Sequence, residues 1–249
     1  MKRVLLLQHE SFEAFGTLDP LLKKEGIRIR YVNFERNPEA MPGLDGYDGL
    51  ILMGGYMGVY ESHMYPHLHV EMRLIEQALK RGIPILGICL GSQILAHVLG
   101  AEVRKHTERE MGWNEVHLTE AGEKDPIFSH FGKREVLFQS HGDTFDIPKS
   151  SEHLAFSEVC HGQAFRYGEN VYGFQFHIEI DRPTIGHWLE MPENQEIFKG
   201  SEGRFVPEAV LQDTDKYLDR SIHLSEQAFR NFLKISGAKK PRIRLGSGR

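Results

Sequence analysis

The chain has 249 residues, a formal net charge of −5 and 40% hydrophobic side chains. This length suits one large α/β domain or one domain with an extension, and the acidic balance argues against a nucleic-acid-binding surface. Two cysteines, Cys89 and Cys160, are too few for a disulfide framework, and no apolar run is long enough to span a membrane. These features predict a cytoplasmic protein that binds neither nucleic acid nor membrane.

Apolar segments and helical segments alternate through the first hundred residues. Four strands are predicted at residues 4–8, 27–33, 49–53 and 84–88, with helices at 17–25 and 66–81. The later sequence favours β structure, with strands predicted at 101–106, 114–118, 135–139, 153–156, 164–167 and 171–176. This order predicts an α/β fold: a doubly wound, mostly parallel sheet with flanking helices, plus a smaller antiparallel β section.

Two adjacent glycines, Gly54 and Gly55, end the third predicted strand. A glycine turn of this kind can present backbone N–H groups to a negatively charged oxygen. The Gly-x-Gly-x-x-Gly spacing is missing, so the turn is not a dinucleotide-binding fingerprint.

Three histidines, His63, His67 and His69, follow this turn and raise the question of a metal site. Zinc sites usually add cysteine or carboxylate ligands at characteristic spacings, and no such spacing accompanies these histidines in the sequence. They are therefore expected in the loop and first turn of the helix that begins near Pro66, without a metal.

The segment from Gly87 to Gln93 is the most informative part of the sequence. A short apolar strand runs into Cys89, which has a glycine two positions to either side, and helical sequence follows from Ser92. This is the pattern of a nucleophile elbow, in which the glycines allow close packing and the turn exposes the middle side chain. The positive end of the helix dipole favours the thiolate form of Cys89. The alternative, a buried cysteine that ends a core strand, leaves the paired glycines unexplained.

A histidine and a glutamate two residues apart, His177 and Glu179, follow the last predicted strand segment. On an extended backbone their side chains point to the same side. Glu179 could then accept a hydrogen bond from one ring nitrogen of His177 and leave the other nitrogen to face Cys89. A solvated His-x-Glu pair on a strand is the alternative, and the pair gains meaning only together with the elbow.

Residues 191–249 lie beyond this α/β pattern. Apolar and small residues fall on one helical stripe there: Leu211, Leu218, Ile222, Ser225, Phe229 and Phe232. We expect this helix to pack on its own domain, with a partner-binding helix as the alternative. The basic segment 239–244 is expected to be a solvated tail.

Five motifs together resemble the class I glutamine amidotransferases, the type with a Cys-His-Glu triad. The motifs are Gly54-Gly55, the Cys89 elbow, Glu110-Met111-Gly112-Trp113, Ser140-His141-Gly142-Asp143 and His177-Ile178-Glu179. They are most similar to the stand-alone branch that resembles the glutaminase domain of GMP synthetase. The resemblance covers residues 1–190 and implies a flavodoxin-like amidotransferase domain there, with residues 191–249 forming a helical C-terminal extension and basic tail.

The resemblance implies a role for each motif. Cys89 would be the nucleophile, His177 the base and acid, and Glu179 the residue that orients it. The backbone N–H groups of Gly55 and Leu90 would form the oxyanion hole. The glutamine substrate would be held by Gln93, Ser140, Gly142 and Asp143.

The implied reaction releases ammonia from glutamine through a γ-glutamyl thioester. It requires no metal and no organic cofactor. In the family the ammonia passes to a synthetase active site, so a synthetase partner subunit is a possible acceptor.

Two residues depart from the family pattern. Tyr56 stands where the family usually has proline after the paired glycines, so the turn is expected to be less rigid and its oxyanion geometry less preformed. Ile178 stands where the family often has proline, but an intervening residue points away from the His177–Glu179 pair.

Three other functions remain open on the sequence. A γ-glutamyl peptidase or hydrolase would use the same triad on a different leaving group. A DJ-1/PfpI-like protein shares a cysteine elbow but lacks the late His-x-Glu pair. A non-catalytic regulatory subunit would retain the triad without using it.

Overall fold

The computed structural model describes residues 1–10 and 15–237 of the chain. Its strands are β1 (Arg3–Gln8), β2 (Arg28–Asn33), β3 (Gly49–Leu52), β4 (Ile85–Ile88), β5 (Val103–Leu118), β6 (Arg134–Phe145), β7 (Ser151–Phe156), β8 (Ala164–Tyr167) and β9 (Val171–Phe174). Its helices are α1 (Leu18–Lys24), α2 (His67–Arg81), α3 (Leu90–Val98), α4 (Glu120–Lys124), α5 (Arg182–Glu190), α6 (Pro192–Gly200) and α7 (Pro207–Gly237).

The described strands form one nine-stranded sheet in the order β2-β1-β3-β4-β9-β8-β7-β5-β6. The first five of these pair in parallel, and the remaining four are antiparallel to their neighbours. The predicted fold class, a mostly parallel sheet with a smaller antiparallel section, is confirmed. Because carboxyl ends of parallel strands meet at one edge, the segments after β1, β3, β4 and β9 converge there.

Helices cover both faces of the parallel strands. Side chains of β1 alternate between two cores: Leu5 and Leu7 pack with α2 and α3, while Val4 and Leu6 pack with α1 and α7. Burial on both faces explains why the parallel strands have continuous apolar sequences.

The antiparallel section differs from the sequence prediction in its strand lengths. The segments predicted at 101–106 and 114–118 belong to one long strand, β5, which pairs with β6 on both sides of an irregularity between Lys105 and Glu110. β6 likewise extends past its predicted end at residue 139 and includes Ser140 and Asp143. The polar residues around the irregularity hide this continuity, because they break the alternation expected of a strand.

The long helix α7 packs against the parallel sheet. Leu224, Ala228, Phe229 and Phe232 are buried in the same core as β1 and β9. The helix therefore packs on its own domain, as the apolar stripe predicts, except that Leu211 is 40% exposed. The boundary at residue 190 stays a prediction, and the basic segment 239–244 lies outside the described residues.

Among the described helices, none combines the length and the apolar character needed to cross a membrane.

Candidate active site

Cys89 occupies a strained turn between β4 and α3. Its backbone angles are φ 50° and ψ −112°, a region that a non-glycine residue rarely adopts. The two flanking glycines are required by space: a Cβ on Gly91 would lie 2.3 Å from the Leu52 carbonyl oxygen, and one on Gly87 would lie 2.5 Å from the Gly91 carbonyl oxygen. The elbow geometry predicted from the sequence is therefore present.

The Cys89 thiol lies at the amino end of α3 and at the wall of a cleft. Its backbone N–H donates to Phe174 O over 2.8 Å, which ties the elbow to β9. Its sulfur lies 3.8 Å from Ser140 O on β6. Only 5% of the residue is exposed, so the expectation that the turn exposes this side chain is wrong, although Cys89 is among the residues that line the cleft.

His177 and Glu179 meet as predicted, but not within a strand. β9 ends at Phe174, and His177 follows in a bent segment, where its backbone N–H donates to Phe138 O over 2.8 Å in an isolated bridge. The Nδ1 atom of His177 and the Glu179 Oε1 atom are 2.7 Å apart, and Cys89 lies close enough to the His177 ring to raise its pKa. The expectation of a continuous strand to residue 176 is wrong, because pairing with β4 and β8 stops at Phe174.

The pKa of His177 is set by opposing effects. Burial of the ring would lower this pKa, but the charge and hydrogen-bonding effects of Glu179 and Cys89 together raise it well above its ordinary value. The His177 ring also packs edge-on against Trp188, with ring centroids 4.8 Å apart. Glu179 and Cys89 thus favour the protonated His177 ring, a state suited to giving a proton to a leaving group.

The glycine turn lies beside the elbow. A Cβ on Gly55 would lie 2.7 Å from the Leu90 Cδ2 atom, so the two residues predicted to form the oxyanion hole are in contact. Leu90 is the first residue of α3 and Gly55 lines the cleft. Tyr56 directs its side chain outward, with 67% exposed and its ring edge-on to Tyr65.

A cleft of about 740 Å³ joins these elements. The residues predicted to hold glutamine all line it together with Cys89 and His177; they are Gln93, Ser140, Gly142 and Asp143. Gln93 Nε2 donates to Gln175 Oε1 over 3.1 Å, which fixes the amide in place. The structure thus brings all of the sequence-predicted catalytic and substrate residues into one region.

A buried network behind β6 was not recognised from the sequence. His141 lies 3.0 Å from Glu110, and Glu110 also accepts hydrogen bonds from Ser157 and Gln163. Nδ1 of His141 bonds the carbonyl of Asp143 over 2.9 Å, so the network braces the segment that carries Ser140 and Asp143. Glu110 and His141 both belong to motifs noted in the sequence. Their contact could not be predicted, because it depends on the register between β5 and β6.

Cys160 lies in the same network and is fully buried beside Thr144. Burial, the largest effect, raises the pKa of its thiol to about 11. A thiol of this kind is a poor nucleophile.

The three histidines near the glycine turn do not come together. His63 and His69 are exposed, whereas His67 is buried in the first turn of α2. His67 instead lies near His9 and Glu71, with their possible ligand atoms within 4.8 Å of one another. Neither partner was anticipated, because they come from the end of β1 and from α2.

Comparison with known proteins gives the same assignment as the geometry. The family model for glutamine amidotransferase class-I matches residues 17–189. The chain is 32% identical to the glutamine amidotransferase-like protein YfeJ of Salmonella typhimurium over 207 residues, which is 82% of this chain and 86% of YfeJ. It is 34% identical to the glutamine-hydrolyzing GMP synthase of Borreliella burgdorferi over 139 residues, which is 55% of this chain but only 25% of that enzyme.

Solved structures agree. A glutamine amidotransferase from Thermotoga maritima superimposes with a TM-score of 0.82 at 33% identity, covering 96% of this chain and 99% of that one. A glutamine amidotransferase from Methylobacillus flagellatus gives a TM-score of 0.84 at 25% identity, covering 94% and 95%.

The sheet, the cysteine elbow and the adjoining cleft thus define a chain of the glutamine amidotransferase class. More specifically, it belongs to the class I glutamine amidotransferase family, as the sequence motifs predict. The DJ-1/PfpI-like alternative is set aside by this membership.

Proposed function

We propose that the chain hydrolyses the side-chain amide of glutamine through a γ-glutamyl thioester on Cys89 and releases ammonia. The observation that carries the proposal is the placement of His177, which contacts both Cys89 and Glu179 at the wall of the cleft. A nucleophile, a proton carrier and an orienting carboxylate in this order suit acyl transfer.

The reaction divides into two acyl-transfer steps. The Cys89 thiolate attacks the amide carbon, and the N–H groups of Gly55 and Leu90 stabilise the oxyanion that forms. The carbon–nitrogen bond breaks as His177 gives its proton to the leaving ammonia, and the thioester remains. Neutral His177 then takes a proton from water, which attacks the thioester and releases glutamate and the Cys89 thiolate.

Glutamine recognition is assigned to the β6 residues that line the cleft and to Gln93 of α3. The Asp143 carboxylate offers a charge-assisted partner for the α-ammonium group of the substrate. Gln93, Ser140 and Gly142 lie beside it and complete the substrate subsite.

Ammonia transfer to a separate synthetase subunit is the proposed use of the product. The match to the glutamine-hydrolyzing GMP synthase of Borreliella burgdorferi supports this, since that relative is a synthase that hydrolyses glutamine.

Glutamate release tests the proposal. Purified protein is incubated with glutamine, and glutamate and ammonia are measured together with and without a cell extract that could supply a synthetase. Glutamate release that depends on Cys89 supports the proposal, with an equal amount of free ammonia when no extract is present. No release under either condition, from protein whose Cys89 remains reactive, contradicts it.

A γ-glutamyl peptidase is the second candidate, and the outer part of the cleft favours it. The volume of about 740 Å³ exceeds that of glutamine alone, and Lys105 and Arg109 line it. These cations could receive the carboxylate of a peptide leaving group. Faster cleavage of a γ-glutamyl dipeptide than of glutamine, reduced by Arg109→Ala, would favour this function.

A further inference from the structure

A buried histidine–glutamate pair lies directly beneath the glycine turn. His9 is 2% exposed and Glu71 is fully buried. The Nε2 atom of His9 lies 2.9 Å and 3.0 Å from the two carboxylate oxygens of Glu71. Its other ring nitrogen, Nδ1, lies 2.5 Å from the carbonyl oxygen of Gly54. The ring therefore bridges a carboxylate of α2 and the backbone of the turn.

The sheet register brings these groups together. Leu7 on β1 is paired with Leu52 on β3, and the Met53 N–H donates to Leu7 O over 3.1 Å. Two residues beyond this pairing, His9 and Gly54 leave their strands side by side. Glu71, in the second turn of α2, contacts the Nε2 side of the His9 ring.

The direction of the hydrogen bond follows from the chemistry of its acceptor. A carbonyl oxygen can only accept, so Nδ1 of His9 carries the proton and donates to Gly54 O. The Glu71 carboxyl group is hydrogen-bonded to Nε2, which fixes the plane of the ring. Since Glu71 holds the ring and the ring holds Gly54, the carboxylate acts on the turn through His9.

The Gly54 carbonyl and the Gly55 N–H belong to one peptide unit. Among the described residues no peptide bond is cis, so this carbonyl and N–H point in opposite directions. His9 approaches from the buried side and is not among the residues that line the cleft, whereas Gly55 is. A carbonyl held toward His9 therefore turns the Gly55 N–H away from His9.

We infer that His9, oriented by Glu71, is a positioning residue that holds the Gly54–Gly55 peptide in the orientation the oxyanion hole requires. The inference rests on the proposed acyl-transfer function, in which Gly55 N–H is an oxyanion donor. Two successive glycines leave this peptide free to rotate, and Tyr56 supplies none of the restriction that a proline would give. The side chain of His9 takes over that restriction.

The same hydrogen bond also strengthens the donor. A hydrogen bond accepted by a peptide carbonyl polarises the unit and makes its N–H a better donor, an effect of about 10–30% per bond. His9 therefore affects both where the Gly55 N–H points and how strongly it binds a developing oxyanion.

Two reactions of Cys89 separate this role from general damage to the site. Acylation by p-nitrophenyl acetate forms a sulfur–carbon bond through a tetrahedral oxyanion and expels p-nitrophenolate. Alkylation by iodoacetamide forms a sulfur–carbon bond and expels iodide, with no oxyanion at any stage. The ratio of the two rates, each followed by peptide mapping at Cys89, reports the oxyanion hole alone.

The variants are His9→Phe, which keeps an aromatic ring without a donor, and His9→Asn, whose amide can still reach Gly54 O. The acylation rate of His9→Phe is expected to fall roughly ten- to hundredfold while alkylation is unchanged, because one oxyanion donor is worth about 10²–10³. His9→Asn should recover part of the loss. Glu71→Gln keeps an acceptor for Nε2 but carries no charge. Its acylation rate should lie between those of the wild type and His9→Phe.

His67→Phe is the matched control. His67 is buried beside His9, with ring centroids 5.8 Å apart, and its Nε2 atom has no hydrogen-bond partner among the described residues. This variant should leave the rate ratio unchanged. An equal loss in His67→Phe, an unchanged ratio in a folded His9→Phe, or parallel loss of acylation and alkylation would each overturn the inference.

The two reactions also separate this inference from the proposed function. If the wild-type chain cleaves no glutamine, the proposed function fails, but the rate ratio still measures the turn. If His9→Phe does not fold, as circular dichroism would show, the ratio in Glu71→Gln and His9→Asn decides the matter.

Discussion

Glu179 accepts a 2.7 Å hydrogen bond from Nδ1 of His177, and both residues are buried, with less than one-twentieth of their surface exposed. The bond directs the opposite edge of the ring toward Cys89 and stabilises its protonated form. A buried charge pair of this kind is strongly coupled, because removing one partner leaves the other without compensation.

Removal of either partner should impair glutamine hydrolysis, but unequally. His177→Ala removes the group that moves the proton, whereas Glu179→Ala removes only its orientation and its stabilising charge. We expect kcat to fall by about 10²–10⁴ for His177→Ala and by less for Glu179→Ala, since general acid–base catalysis contributes that much. Steady-state glutamate release measures both. A larger loss in Glu179→Ala would contradict the assigned roles.

The raised pKa of His177 makes part of the stability depend on pH. A group whose pKa is raised in the folded state stabilises the fold fully below its unfolded pKa, about 6.5, and loses that contribution as the pH rises through the folded-state value. Glu179→Gln removes the main charge that raises this pKa. The melting temperature of the variant should therefore lie further below that of the wild type near pH 6 than near pH 10. The difference between the two pH values should be about 2–4 °C for each kcal/mol of coupling between His177 and Glu179.

Thermal melts followed by circular dichroism give this comparison. The control is Glu196→Gln, which alters an exposed ion pair with Lys199 on α6. It should show no pH-dependent difference from wild type. A stability loss in Glu179→Gln that grows toward alkaline pH would have the opposite sign and would contradict a raised His177 pKa.

The elbow glycine Gly91 should not tolerate a side chain. A Cβ there would lie 2.3 Å from Leu52 O, so β3 or α3 must move. Gly91→Ala should cost about 1–3 kcal/mol in the free energy of unfolding, the usual cost of overpacking. Gly186→Ala is the matched control, because a Cβ at Gly186 in α5 meets no atom within 4 Å. Urea unfolding should show Gly186→Ala to be neutral or stabilised by about 0.5–1 kcal/mol.

Asp143 should contribute to substrate binding more than to turnover. Its carboxylate lines the cleft, and loss of one hydrogen bond to a charged group costs about 1.5–3 kcal/mol, or roughly 10- to 100-fold. Asp143→Asn should raise KM for glutamine by that factor and leave kcat within a few-fold. Asp146→Asn, whose side chain pairs with Arg104 at the surface, should change neither. A fall in kcat at constant KM would instead place Asp143 in the chemical step.

Local patterns were sufficient for the parts of the site that lie close together in sequence. The Cys89 elbow is marked by glycines two residues away on either side, and His177 and Glu179 are only two residues apart. Residue type and short spacing were therefore enough to predict that these side chains meet, although the backbone around His177 is bent and not part of a strand.

The parts that the sequence did not predict depend on contacts between distant segments. His9 reaches Gly54 only through the register of β1 with β3, and Glu110 reaches His141 only through the register of β5 with β6. His9 and Glu71 are 62 residues apart, so no local pattern joins them. The length of β5 was missed for a related reason, since its pairing continues across a polar irregularity.

The central claim is that Cys89 carries the γ-glutamyl group, and direct detection of that adduct tests it most directly. The protein is mixed with glutamine, quenched in acid within the first turnovers, and digested for peptide mass mapping. We expect a γ-glutamyl mass increment on the Cys89 peptide, absent in Cys89→Ser and retained in Cys160→Ser, because the buried Cys160 thiol has its pKa raised to about 11. A γ-glutamyl adduct on Cys160, or glutamate release that persists in Cys89→Ser, would contradict the claim.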